Sequence, residues 1–541
     1  MNATHDDRDD AVLRKFGYQP QLKRTLGLFS NFGIAFCYLS PVVGIYSLFV
    51  LGLGAGGPAY IWLMPLVVAG QLLVALTFAE LASGYPLAGA LFQWAKRLVG
   101  PGYAWWVGWI YGWALILTIA AVDTGVAPYA GQLLNDVFGT HIDATKPNTI
   151  LLITLGMLLI QTTFNVTGVK FSALISRAGV VAEVGATFGI ALLLLFAGFH
   201  HGLDFLFTTQ HVQDVKSNPL GVDFKGHWLV GAGLIAILAH VYIFYGFESA
   251  GDVAEEVKDP QRKVPRAMIM SLVIGFITSF ILVAAFILAI PKGGFSKAAS
   301  FEGGINYIIG SNISSLFVQD VILAFVVFAF FSCGTAIQAA AARLVFSYSR
   351  DDALPASKSL RHISLRFKTP VTALIVAGAI LPALFALLVH FNPSHAFHIG
   401  PFLYPAKVNA LLILISFGVS GIYLAFQMVM IAALIARLRG WKPDGPFQLG
   451  RWGLAVNVAG IVYGVLMLIN IVLPTGLDSP RGALFNYGNM TLGVILLLIV
   501  VGGVYYVIGR PDRKIAGRHP DTEPEPPVAA GPAAPGIAPA A

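Results

Sequence analysis

The chain has 541 residues, of which 57% are apolar and only 11% charged, with a mean hydropathy of +0.75. A soluble protein of this length needs far more charge to cover its surface, so the composition excludes one and predicts an all-α integral membrane protein that crosses the bilayer many times. The formal net charge of +7 is not read as a nucleic-acid signature, because the basic residues fall in alternate loops, which is a topology signal.

A helix needs about 20 apolar residues to cross a bilayer. Twelve runs qualify in chain order: 30–52, 59–83, 104–130, 149–167, 173–199, 228–257, 266–290, 314–347, 371–390, 405–437, 453–473 and 486–508. Residues 1–29 form a mixed-charge tail and 30–510 one membrane domain holding the twelve runs. Residues 511–541 form a Pro/Ala-rich tail expected to be disordered. The first span lacks an evident small-residue cleavage site and reads as a retained helix. The long runs 228–257 and 314–347 are expected to project beyond the bilayer. The basic clusters at Arg14–Arg24, Lys96–Arg97, Lys258–Arg266, Arg350–Lys368 and Arg437–Arg451 alternate with loops nearly free of them. Both termini are therefore expected on the cytoplasmic side of the cell membrane.

Two spans are interrupted at matching places in the two halves. The first reads Ser40-Pro41-Val42-Val43-Gly44-Ile45, and the second Phe244-Tyr245-Gly246-Phe247-Glu248-Ser249. Proline and glycine break a helix, and hydrocarbon punishes each unpaired backbone group. Paired breaks point to a secondary transporter's binding site. Helix halves meeting there would offer N–H groups to a carboxylate and carbonyls to an ammonium or cation. Pro41 deletes one donor and Gly44 lets a ligand approach closely. Ser40 to Ile45 and Phe244 to Glu248 are thus the candidate substrate-binding residues, with a packed proline kink as the plainer alternative for the first.

Ionisable residues at membrane depth are costly and mark function. Glu248 lies at the second break. Glu248, Asp252 and Glu255 share one face of a continuous helix, although Asp252, Glu255 and Glu256 read first as a solvated helix end beside Lys258, Arg262 and Lys263. Glu183 stands alone among apolar residues. It must pair across helices, bind a cation or take up a proton. Ser332 and Thr335 are candidate sodium ligands, with helix packing the leading alternative. The ion-coupling candidates are therefore Glu183, Glu248, Ser332 and Thr335. Trp105, Trp106, Trp109 and Trp113 read as interface and packing residues. Cys37 and Cys333 fall in apolar runs and suggest neither a disulfide framework nor a metal site. No catalytic, zinc or nucleotide-binding spacing is present, so an enzyme, a metal and an organic cofactor are not expected.

Several segments carry a family resemblance. Ala79-Glu80-Leu81-Ala82-Ser83-Gly84-Tyr85-Pro86 resembles the loop after span two of the amino acid–polyamine–organocation permeases. Tyr245-Gly246-Phe247-Glu248-Ser249-Ala250-Gly251, with Asp259-Pro260-Gln261-Arg262-Lys263-Val264-Pro265, resembles their span-six signature. Ser349-Arg350-Asp351-Asp352-Ala353-Leu354-Pro355 is similar to the end of their span eight. Ser40 to Tyr46 is most similar to the amino acid/choline transporter branch. The resemblance implies a LeuT-type fold with twelve transmembrane helices. These would form a 5+5 inverted repeat with broken helices 1 and 6, plus two extra helices. Substrate would sit between the breaks. Many proton-coupled relatives carry a lysine eighteen residues after the asparagine of span four; counting from Asn165 reaches Glu183, so the coupling position is acidic here. The expected function is alternating-access transport of a small amino acid or amine, with proton coupling favoured over sodium. An amino acid/amine exchanger and a non-transporting sensor are the alternatives. The expected partners are the small substrate and the lipid bilayer, in a monomer or weak oligomer, with no nucleic acid.

Overall fold

The computed structural model describes residues 5–209, 228–229, 232–390, 397–399, 402–404, 410–472 and 487–517. In chain order the helices are α1 (His5–Lys15), α2 (Leu28–Leu39), α3 (Pro41–Gly56), α4 (Leu63–Gly84), α5 (Ala90–Leu98), α6 (Pro101–Gly125), α7 (Ala127–Phe138), α8 (Pro147–Val166) and α9 (Val169–Ala197). Next come α10 (Ala232–Val241), α11 (Ser249–Asp252), α12 (Pro260–Leu288), α13 (Phe295–Ala298), α14 (Gly304–Asn312), α15 (Leu316–Arg350) and α16 (Ser357–Leu360). The last are α17 (Val371–Ile375), α18 (Leu381–His390), α19 (Ala410–Leu438), α20 (Gly453–Val472), α21 (Tyr487–Gly509) and α22 (Pro511–Gly517). A two-stranded hairpin, Phe397–Ile399 with Phe402–Tyr404, is the exception to an all-helical chain among the described residues.

Among the described residues, ten helical stretches are long and apolar enough to cross a membrane. The runs read at 228–257 and 486–508 contain two shorter apolar helices, Ala232–Val241 and Gly493–Gly509. Proline at the first turn starts α3, α6, α8 and α12, where its missing N–H would have had no helical partner. A turn of π-helix, Val376–Ile380, joins α17 to α18. It leaves the Gly378 carbonyl to accept from Gln338 Nε2 at 2.9 Å.

Several sequence expectations change here. The run 228–257 is not one projecting helix: it is α10, an irregular segment, α11 and a short 3-10 turn at Ala254–Glu256. The expected N-terminal tail contains α1, and the first apolar helix starts at Leu28. Residues 511–517 of the expected disordered tail form α22 against α6. The rest of that tail lies outside the described residues. Trp105 stacks on Trp109 and Tyr505, so this tryptophan cluster packs α6 against α21.

Helix α2 packs against α9, α12 and α15, and α10 runs along α3 and α4. These contacts bring the two interrupted spans together in the buried centre.

Candidate functional site

Ser40 separates α2 from α3 in the left-handed region, at φ 38° and ψ 86°. A non-glycine residue held there costs about 1–3 kcal/mol and marks sites where surrounding packing over-determines the backbone. The Ser40 N–H still bonds the Phe36 carbonyl at 2.7 Å, and its hydroxyl accepts from the Val43 N–H at 3.4 Å. Ser40 therefore caps α3.

The second break spans 242–248. The Val241 carbonyl at the end of α10 accepts from Tyr423 Oη at 3.2 Å, and Gln71 Nε2 donates to the same phenol at 2.6 Å. Gly246 has φ +100°, and its N–H donates to Glu248 Oε2 at 2.9 Å. The Gly246 carbonyl accepts from Ser249 N–H at 3.1 Å and from Ser249 Oγ at 2.7 Å. Side chains thus supply partners that a continuous helix would have supplied.

The breaks cross each other. A Cβ on Gly44 would meet Ile243 Cγ1 at 2.5 Å. One on Gly246 would meet Tyr38 Cδ2 at 2.8 Å and the Leu39 amide nitrogen at 2.9 Å. Each glycine admits the other break. The sequence reading gave Gly44's missing side chain to a ligand; the structure gives that space to Ile243. Ser40–Val43 and Val241–Asp252 are buried throughout. Phe247 lies against Phe426 and Phe78, with ring centroids 5.6 and 6.2 Å apart, and Tyr245 meets Tyr38 edge-on at 6.0 Å. A cavity of about 470 Å³ opens beside α3, lined by Tyr46, Thr124, Tyr129, Glu302 and His390 among others, and excludes the break residues themselves.

Glu183 and the first break, far apart in sequence, come together. Glu183 is fully buried on α9. It faces the Ser40 hydroxyl and the Val42 N–H at the start of α3, the positive end of that helix dipole. Neither carboxyl oxygen reaches hydrogen-bond geometry with any described residue. Ser332 sits beside Gly179 and Cys37, and its hydroxyl donates to the Ala329 carbonyl at 3.0 Å. The Thr335 hydroxyl donates to the Phe331 carbonyl at 2.8 Å. Both hydroxyl protons are thus spent within α15, leaving only oxygen lone pairs for a ligand.

Asp252, Glu255 and Glu256 are not a solvated helix end. All three are buried, and the bases that Glu255 and Glu256 meet come from α15, not from Lys258, Arg262 or Lys263. Arg350 grips Glu255 with two bonds of 2.8 and 3.0 Å. Arg343 Nε donates to Glu256 Oε1 at 2.8 Å. The shared helical face also fails at Glu255, because α11 ends at Asp252 and the 3-10 turn redirects the chain. Glu248 and Asp252 do converge, on Tyr111.

Three residues escaped the sequence reading. Tyr111 carried no signal. Asp123, a lone acid inside the run 104–130, did carry one. It is fully buried on α6, with Oδ1 accepting from Gln161 Nε2 at 2.7 Å and Oδ2 unpartnered among the described residues. Gln161 passes this link to Gln338 at 3.2 Å. The third is Glu80, quoted above only for its resemblance. It is buried, ion-paired with Arg437, and accepts the Leu449 N–H at 2.8 Å. Among the described residues no group of His, Cys, Asp and Glu is arranged to hold a metal ion.

The family model described as "Amino acid permease" matches residues 26–501. The amino-acid permease BAT1 homolog of Oryza sativa subsp. japonica is 25% identical over 526 residues, covering 91% of this chain and 93% of its own. The GABA-specific permease of Saccharomyces cerevisiae is 25% identical, covering 94% of this chain and 85% of its own. The choline transporter of the same yeast is 24% identical, covering 93% and 84%.

Proposed function

Because this chain belongs to the amino acid permease family, a family of transporters and not of enzymes, we propose that it is a secondary active transporter. It moves a small amino acid or amine across the cytoplasmic membrane by alternating access. The substrate binds where the breaks at Ser40–Ile45 and Phe244–Glu248 cross, and a proton drives the cycle through Glu183. In this reading the ten long apolar stretches and the two shorter apolar helices make twelve spans in a LeuT-type 5+5 arrangement, with both termini cytoplasmic. The permeases of similar sequence are named for amino acids, GABA and choline, which sets the first substrates to try.

The observation that carries the reading is Glu183 at the first break. A carboxyl buried without a hydrogen-bond partner among the described residues is expensive as an anion. The N-terminus of α3 favours the charge when it is present. A group balanced between these two influences suits gain and loss of a proton as the break rearranges.

Reconstituted liposomes test it. Counterflow of radiolabelled amino acids, GABA and choline would establish transport and exclude a pure sensor. Accumulation under an imposed pH gradient without sodium is expected. Counterflow without accumulation under any ion gradient would make the protein an exchanger and remove the coupling role.

A further inference from the structure

Glu248 and Asp252 stand four residues apart, and both carboxyl groups reach one phenol. Tyr111 Oη lies 3.1 Å from Glu248 Oε1 and 3.0 Å from Asp252 Oδ2. A phenol has one proton to donate, and its remaining capacity is for accepting. It cannot donate to two carboxylates at once. Both contacts become hydrogen bonds when one carboxyl carries a proton and donates it to Tyr111 Oη, leaving the phenol's own proton for the other acid.

The two acids differ in their other contacts. Glu248 Oε2 accepts the Gly246 N–H at 2.9 Å, a bond that suits an anion. Asp252 Oδ1 has no hydrogen-bond partner among the described residues, which costs a neutral carboxyl much less than a carboxylate. Among the described residues no base is hydrogen-bonded or ion-paired to either acid. Helix α11 packs against α2, α5, α12 and α15. On α15, Arg343 is held by Glu256 and Arg350 by Glu255. On α5, Lys96 is held by Asp351, and Arg97 bonds Gln93. On α12, Arg262 and Arg266 are exposed and Lys263 half-buried. The titratable groups around the cluster are Tyr38 of α2 and Tyr245 of the second break, with the Cys333 thiol of α15 beside Tyr38.

We propose that Asp252, Tyr111 and Glu248 together hold one exchangeable proton, resident on Asp252 Oδ2 and transferable to Glu248 Oε1 through Tyr111 Oη. In the transfer the Asp252 O–H bond breaks and its proton joins the phenol oxygen. The phenol's original proton moves to Glu248. Tyr111 ends neutral, as it began, and no other reactant is consumed. The relay runs from Glu248, at the second break, to Asp252, the last residue of α11. Its use in a transport cycle rests on the function proposed above. The resident proton does not.

Infrared spectroscopy of the full-length protein in lipid tests it without any substrate. Aspartate isotopically labelled in its side-chain carboxyl shifts the carbonyl band of a protonated aspartic acid and leaves glutamic acid bands in place. At neutral pH the parent protein is expected to show a label-sensitive, deuterium-sensitive band of this kind. Asp252→Asn should remove it, since the amide can donate to Tyr111 as the acid did and the fold survives. Glu248→Gln should also reduce it, because the phenol proton is then free for Asp252. Absence of any label-sensitive band in the parent overturns the proposal, as does a band untouched by both substitutions. Should Asp252→Asn fail to fold, the Glu248→Gln spectrum decides alone. Failed transport in liposomes alongside the expected spectra would reject the transport reading and leave the proton site standing.

Discussion

Ile243 occupies the space that Gly44 leaves open: a Cβ on Gly44 would lie 2.5 Å from Ile243 Cγ1. The first break is therefore seated against the second by the absence of one side chain and the presence of another. A rearrangement at either break must be felt at the other, because packed interiors do not deform continuously.

Gly44→Ala is expected to destabilise the protein by about 1–3 kcal/mol through overpacking and to reduce transport. Ile243→Ala removes the obstructing atoms, so the double variant should recover much of the loss. Thermal unfolding in detergent across the four proteins gives the coupling. Additive effects of the two substitutions would show that the breaks are not seated on each other.

Glu183→Gln keeps the shape and removes the titrating group. Counterflow should persist in liposomes while accumulation under a pH gradient disappears. Normal accumulation by this variant would leave Glu183 with a structural role only.

The pair of Arg343 and Glu256 joins α15 to the end of the second break in a buried setting. Glu256→Gln leaves an unpaired buried guanidinium and is expected to cost about 3–5 kcal/mol. Replacing both residues by methionine should cost much less. Unfolding temperatures of the single and double variants test this, and equal losses would count against the pair as the anchor.

Asp123 ends a chain of side-chain amides running through Gln161 and Gln338 to the π-turn at Gly378. Asp123→Asn can keep one bond to Gln161 and should be mild. Asp123→Leu leaves Gln161 with an unsatisfied buried donor and is expected to cost about 1–3 kcal/mol. Equal unfolding temperatures for the two variants would remove Asp123 from the network.

Much of this architecture was legible as sequence. Apolar runs of bilayer length are local, so hydropathy alone located the ten helical stretches long and apolar enough to cross a membrane among the described residues. Proline and glycine act on their own backbone, so Ser40-Pro41 and Tyr245-Gly246 announced both interruptions. A carboxyl in hydrocarbon is conspicuous wherever it occurs, which singled out Glu183 and Glu248. The same rule applied evenly would have singled out Asp123.

Pairing between distant segments was decided only in three dimensions. Glu255 and Glu256 sit next to lysines and arginines in sequence, and nearest neighbours make a solvated helix end the natural reading. Their actual partners, Arg350 and Arg343, lie about ninety residues away and meet them only because α11 packs on α15. Tyr111 is an unremarked tyrosine in an aromatic-rich span until α6 brings it to Glu248 and Asp252. Glu183 met Ser40, and Gly44 met Ile243, for the same reason. Hydrophobicity and helix breaking are properties of a residue and its chain neighbours, and the sequence determines them directly. Which carboxyl faces which base, phenol or helix terminus depends on how helices pack across hundreds of residues, and only the tertiary structure decides that.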